Sequence, residues 1–325
     1  VTAPRISALD PAGPQAANIA ALWDLFLWVS IAVFVLVIGF YAVATVRAVR
    51  QRRRSGDGNP LAEDPASERR MIRGVVAAGA VTVTTLLVLL VASIRTGSAL
   101  AALEDDADAL HIRITGRQWW WQIEYEHDDP RRSATTANEL HIPVGRTVHL
   151  ELTSSDVIHS FWVPSLHGKK DLIPGRLNRT WIRIDEPGEY RGQCAEFCGL
   201  EHAKMAITVV AQRPDEFAAW LAHQREPAPP PADAQAVRGQ QVFNGSPCVL
   251  CHTIAGTSAG GRLGPDLTHA ASRSTLGAGA LPNTIGNLAG WLLDPQSVKP
   301  GVRMPATSLA PADLHALLAY LEGLR

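Results

Sequence analysis

Cysteine and methionine are both scarce in this chain, with four of the one and three of the other in 325 residues. The cysteines fall in two close pairs, Cys194 with Cys198 and Cys248 with Cys251, and with histidines nearby they read as metal or cofactor sites before a disulfide framework. Two local disulfides in an exported protein remain the plain alternative to metal or cofactor sites. Neither sign of charge is in excess. The formal net charge of −1 gives no global bias toward nucleic acid as a partner. No internal repeat is present. The opening VTAPRISALD has neither an initiator methionine nor an apolar leader core. Val1 therefore reads as the start of a mature chain whose signal peptide is gone, although a shortened chain reads the same way.

What is abundant is apolar length. Residues 25–46 and 74–94 carry no charge. Each run spans roughly 30 Å as a helix, the thickness of a bilayer core. The spacing predicts a transmembrane hairpin with helices over about 22–46 and 74–95. The loop between them holds eight arginines against four acids. Short Arg-rich loops stay in the cytoplasm, so both termini are expected on the periplasmic or extracellular side. From about residue 110 to 222 short alternating runs broken by Pro and Gly predict an all-β sandwich or barrel. HQREPAPPPADAQA reads as a stiff linker. Beyond it, Leu314, Leu317, Leu318 and Leu321 share one helical face, and a small helical domain is expected. The expected division is 1–103, 104–222, a linker at 223–234, and 235–325.

The stretch QCAEFCGLEHAKM gathers Cys194, Cys198, His202 and Met205 at spacings of four, four and three. Zinc is the rival metal, but zinc sites seldom use methionine, and soft Cys and Met ligands with His suit copper. A second thiolate in the same loop points to a second copper bridged by both sulfurs. The remaining imidazole is then sought elsewhere. His159 in SSDVIHSFWVPS follows a strand and precedes Pro164, a loop position suited to a ligand.

DVIHSFWVPSLHGKKDLIPGRLN followed by GQCAEFCGLEHAKM resembles subunit II of the haem-copper cytochrome c oxidases, over about residues 23–210. The resemblance implies a cupredoxin-type Greek-key barrel and a dinuclear copper centre, CuA. It implies bridging by Cys194 and Cys198, one copper each for His159 and His202, a weak bond from Met205, and one from the Glu196 carbonyl. It also places the Glu196 carboxylate toward a magnesium shared with subunit I. GRQWWWQIEY is similar to the family's aromatic cluster, with Trp119 matching the tryptophan through which electrons come in. Trp120 and Trp121 continue the cluster, or simply pack a sheet. One departure concerns the second helix. The family often has an acid and a tryptophan at its start, linked to proton uptake. Here SERRMIRGVV has Glu68 several residues early and no tryptophan.

CVLCHT is the attachment signal of a c-type haem, with Cys248 and Cys251 for the covalent bonds and His252 as proximal ligand. Met71 lies by the membrane loop and Met205 is assigned, which leaves Met304 as the other axial ligand, with His269 and His315 as rivals. LGPDL and the last helix resemble class I cytochromes c.

Residues 104–222 hold 13 basic and 19 acidic side chains, a net of −6, and residues 235–325 hold 6 and 4, a net of +2. Opposite signs and a tether favour docking of the haem domain on the copper domain, with the haem edge toward Trp119. The expectation is the electron-receiving subunit of a cytochrome c oxidase with its cytochrome c fused behind it, a caa-type enzyme. Its partners would be subunit I, subunit III and an upstream cytochrome c or bc-type complex, in a bacterial inner membrane. A nitric oxide reductase subunit and a membrane-anchored electron carrier without a catalytic partner are the alternatives. The polar Thr82, Thr84 and Thr85 in the second span are expected to pack against other helices.

Overall fold

The computed structural model describes residues 4–54, 65–104, 108–127, 129 and 133–325. Internal packing divides the chain into two units, residues 17–105 and residues 1–16 with 106–325.

The first unit is built from α1 (Pro14–Arg54) and α2 (Pro65–Glu104). Both begin at a proline, which suits the first turn of a helix because its missing N–H is not needed there. They outrun the apolar segments at both ends. The Ala- and Arg-rich flanks are good helix formers and hold no interior proline, so helix continues where hydrophobicity stops. Apolar side chains such as Trp28, Leu36 and Phe40 are exposed along the helix surface. Both helices are long and apolar enough to cross a membrane. Most of the loop between them, 55–64, lies outside the described residues, and Glu68 sits exposed in the first turn of α2.

The second unit opens with two facing five-stranded sheets. One has the order β3 (Ala134–Ala137), β2 (Trp120–Tyr125), β1 (Leu110–Arg117), β5 (Val148–Ser154), β8 (Asn178–Ile182). The other runs β4 (Glu139–Pro143), β10 (Ala206–Gln212), β9 (Gly188–Cys194), β6 (His159–Trp162), β7 (Lys170–Leu172). β1 with β5 and β4 with β10 are parallel, and the other pairs antiparallel. Burial alternates along β5, so period-two patterning aims one face at the core. Ile112, Ile114 and Leu150 from one sheet meet Leu140, Tyr190 and Val209 from the other. This is the cupredoxin-like domain that the resemblance implied.

Two attachments were not foreseen. Residues 5–16 belong to this unit and not to the hairpin. Arg5 forms a parallel bridge with Tyr190 of the central strand β9, on the side that the short β6 leaves open, and Gln15 Nε2 donates to the Trp181 carbonyl. After β10, α3 (Pro214–Gln224) lays Phe217 and Leu221 on the barrel core, and Trp220 stacks on His141 at 4.0 Å. Helical periodicity over only 11 residues was hidden at the end of a β-rich stretch.

The C-terminal domain is helical. Its elements are α4 (Ala234–Asn244), α5 (Cys248–Cys251), α6 (Ile285–Leu293), α7 (Pro295–Val298) and α8 (Pro311–Glu322). Asp233 caps α4 by accepting from the Ala236 N–H. α4 crosses α8 at Gly239, where a Cβ would collide with the Ala316 carbonyl. Phe243, Leu317, Leu318, Tyr320 and Leu321 form the core. A two-residue ladder, β11 (Thr275–Leu276) with β12 (Leu281–Pro282), departs from an all-helical reading. Its turn contains three left-handed residues, Gly277, Ala278 and Gly279.

Candidate metal and haem sites

The connection from β9 to β10 carries the soft ligands. Antiparallel pairing sets Phe161 of β6 opposite Cys194 of β9, which brings His159 beside the loop. The Cys194 N–H donates to the Met205 carbonyl at 2.9 Å and closes the loop at its base. The ligand atoms of His159, Cys194 and Cys198 lie within 4.8 Å of one another, and all three residues are buried. Sγ of Cys198 is 3.5 Å from Nδ1 of His202 and 3.8 Å from Sδ of Met205. Sγ of Cys194 is 3.8 Å from Nδ1 of His159 and 3.2 Å from the Glu196 carbonyl. Both cysteines are free thiols, and the local-disulfide alternative is not what the structure contains. Four expected donors therefore converge on the two sulfurs, two on each.

Electrostatics agrees with a thiolate site. The Cys198 thiol donates to Cys194 and holds it far below the ordinary thiol range against the cost of burial. The same sharing of one proton pushes Cys198 up. A cation replaces that proton readily, since the thiolate is the ligand form. His159 is fully buried, and burial pulls its pKa down. Asp156 and Cys194 outweigh burial and raise it. Its Nε2 donates to Asp156 Oδ1 at 2.8 Å, which turns Nδ1 toward the sulfurs. Asp156 in turn accepts from the backbone N–H groups of Gln118 and Val157. Against the effect of burial these bonds keep its carboxylate below the usual range. Asp156 was missed in the sequence reading, where it looked like an ordinary loop acid. The sequence signal was its position three before His159.

The three tryptophans divide. Trp119 is 8% exposed and donates from Nε1 to the Cys198 carbonyl at 3.0 Å, beside Gln118 Nε2 on the same oxygen. Trp121 is fully buried, 6.2 Å from the His159 ring and edge-on to Phe161. Trp120 turns to the opposite face under the Arg117 guanidinium. The Glu196 carboxylate is exposed and pairs with Lys169 at 3.0 Å.

In the C-terminal domain, α5 is a single turn with Cys248 and Cys251 at its two ends and His252 directly after it. The His252 N–H donates to the Cys248 carbonyl. Nδ1 of His252 donates to the Pro265 carbonyl at 2.8 Å, which leaves Nε2 with the lone pair of a ligand. Burial lowers the His252 pKa and favours the neutral ring. Gly264 lies against that ring, where a Cβ would be 2.6 Å from Cε1. Met304 is half-buried against the same core as Cys248 and Leu267. The two rival histidines are engaged or placed elsewhere. Both ring nitrogens of His269 meet backbone carbonyls, of Arg325 and Glu226, and His315 is exposed on α8. The donor chemistry fits a covalent His/Met haem.

The two domains of this unit are in contact beside Trp119. A Cβ on Gly301 would lie 3.5 Å from the Trp119 ring, and Val302 packs on the barrel core. The Ser274 N–H and hydroxyl both donate to Glu139 Oε1, at 2.7 and 2.6 Å. The Ala206 N–H donates to the Ala278 carbonyl, and Lys204 Nζ to the Val298 carbonyl.

Residues 127–212 match the family described as "Cytochrome C oxidase subunit II, periplasmic domain", and residues 236–325 match "Cytochrome c". A cytochrome c oxidase subunit 2 of Alkalihalophilus pseudofirmus is 36% identical, over 99% of this chain and 91% of its own length. One from Bacillus sp. strain PS3 is 32% identical, over 84% of this chain and 80% of its own. The solved periplasmic domain of subunit II of a cytochrome oxidase from Bradyrhizobium japonicum is 34% identical. It covers 38% of this chain and 96% of its own, with a TM-score of 0.35.

Proposed function

The chain belongs to the cytochrome c oxidase subunit II family, in the form that carries a cytochrome c domain, and from that premise we propose that it conducts electrons from its C-terminal domain through its β-domain to subunit I. The observation that carries the reading is the convergence of four donors on two sulfurs beneath Trp119, with the CVLCH-bearing domain laid beside that tryptophan. Cys194, Cys198, His159, His202, Met205 and the Glu196 carbonyl would hold a pair of copper ions. Cys248 and Cys251 would bind one haem c, with His252 and Met304 on its iron. When bound, these groups supply one-electron carriers, and oxygen reduction with proton translocation belongs to subunit I.

The chain's own part is to hold its ligands still. Asp156 fixes the His159 ring, and Trp119 and Gln118 together fix the Cys198 carbonyl. A loop held this firmly changes little when the charge on its metals changes. Trp119 is then the mediator between the domains, Trp121 packs against His159, and Trp120 lies off the path. The Glu196 carboxylate, once freed from Lys169, would offer an oxygen to a magnesium shared with subunit I. The hairpin anchors the chain in the inner membrane, and its Arg-rich loop keeps the metal domains on the periplasmic or extracellular face. The functional division would be the hairpin within 1–103, a β-domain at 104–222 to which residues 5–16 attach, a linker at 223–234 and the haem domain at 235–325. Subunit III and an upstream cytochrome c or bc-type complex complete the assembly.

Purification with its neighbouring subunits tests this. The expected result is two coppers and one haem per chain, haem retained after acid-acetone extraction, and oxygen consumed in preference to nitric oxide. Zinc in place of copper, or extractable haem, refutes the site assignment. Turnover with nitric oxide alone would make the chain part of a different reductase.

A further inference from the structure

Lysine is rare in this chain: Lys169, Lys170, Lys204 and Lys299 are the whole complement. The first three are exposed. Lys299 is 2% exposed, although it stands in a connecting segment of the C-terminal domain. Its Nζ donates to two backbone carbonyls, that of Trp119 at 2.6 Å and that of Gly277 at 2.8 Å. One acceptor lies in the β-domain and the other at the tip of the β11–β12 turn, so a single side chain ties three segments together. Burial pushes the amine down to about 7, while Glu201 and Cys198 pull it back up. An amine has two N–H donors and an ammonium three, so both carbonyls are served in either state.

The surroundings allow little slack. Glu201 is itself only 6% exposed. Gly301 is left-handed, and a Cβ there would meet Leu200 at 3.2 Å. Burying a lysine head group is costly unless its hydrogen bonds are made, and they are made only when both carbonyls are in place. A contact of this kind selects one arrangement of the two domains, whereas net charge only draws them together. Lys299 also lies five residues before Met304. The segment that would carry the axial ligand is thus fastened to the backbone of the tryptophan that contacts the metal loop.

We propose that Lys299 is a positioning residue, a latch between the carbonyls of Trp119 and Gly277 that holds the C-terminal domain in one register over the copper site. The proposal rests on the electron-transfer reading for its purpose, but not for its geometry.

The Ser274 and Ala206 amides have their acceptors across the interface, on Glu139 and Ala278, and they report docking without any metal. Hydrogen exchange is measured on the full chain in its complex, in the parent and in Lys299→Met, which keeps length and loses the donors. Both amides should exchange about 10-fold faster or more in the variant, equivalent to about 1.4 kcal/mol. Core amides such as those of Leu150 and Leu318 should not change. Haem-to-copper transfer should slow and spread over several phases, with the copper spectrum and the haem potential unaltered. Unchanged exchange at Ser274 and Ala206 overturns the latch. If the variant loosens core amides as well, acylation of the parent decides the matter. Lys299 should label about 10-fold more slowly than Lys170, or less, and equal labelling overturns the proposal. A parent chain without any haem-to-copper transfer would refute the electron-transfer reading, while exchange and labelling still judge the latch.

Discussion

Replacing Gly264 by alanine puts one methyl group against the ring that would bind the haem iron. The new Cβ would stand 2.6 Å from Cε1 of His252, 2.9 Å from Nδ1 and 3.1 Å from Nε2. Gly264 does not have a left-handed backbone, so the effect is purely one of space. An ordinary carbon contact needs about 3.5 Å or more, so the ring or the loop must move by close to an ångström. The ring is pinned, because Nδ1 is bonded to the Pro265 carbonyl at 2.8 Å. A move of that size breaks the bond. Overpacking costs about 1–3 kcal/mol, and the lost hydrogen bond adds about 1 kcal/mol. The C-terminal domain should therefore lose about 2–4 kcal/mol. Denaturant unfolding followed at the haem absorbance measures it, with potentiometry on the same sample. The haem should stay covalently attached while its potential shifts, because the imidazole is no longer oriented. A loss under about 0.5 kcal/mol with an unchanged potential would refute the reasoning, since surface changes of no structural consequence fall in that range.

Three further outcomes follow from named contacts. Met304→Ala should keep the haem attached, lower its potential and open a coordination position to small ligands, read by potentiometry and ligand titration. Asp156→Asn should weaken copper retention by roughly 10- to 100-fold in a chelator competition, because the ring of His159 loses its carboxylate partner. Burial raises the Glu139 pKa, but His141 and Ser274 outweigh it and hold the folded value below 4.5. A depressed carboxylate stabilises docking above its ordinary value, and that contribution is lost as pH falls through the folded value. Two spin labels, one on each domain, should keep their separation from neutral pH to about 4.5 and move apart below it, whereas Glu139→Gln should show no such acid step.

Much of this protein was legible in one dimension because its chemistry is local. The spacing of Cys194, Cys198, His202 and Met205 sits in one loop, and CVLCH in one turn, so neither needs a fold to be recognised. Membrane spans are a matter of length without charge. The leucine face of the last helix needs only periodicity, and Leu317, Leu318 and Leu321 are buried there as expected. His159 was reached because a copper pair calls for a second imidazole.

Tertiary structure decided what depends on residues distant along the chain. Asp156 becomes a ligand orienter only when the turn after β1 brings the Gln118 N–H to it from 38 positions away. Glu139 meets Ser274 across 135 positions and Lys299 meets the Trp119 carbonyl across 180. Arg5 joins β9 of the barrel although its neighbours in sequence lead to a membrane helix. The three adjacent tryptophans look equivalent as letters, and strand pleating with the β1–β2 turn sends them to three different places. Net charge predicted that the domains attract. Which carbonyl receives the lysine depends on shape and buried hydrogen bonds, and these exist only once both domains have folded.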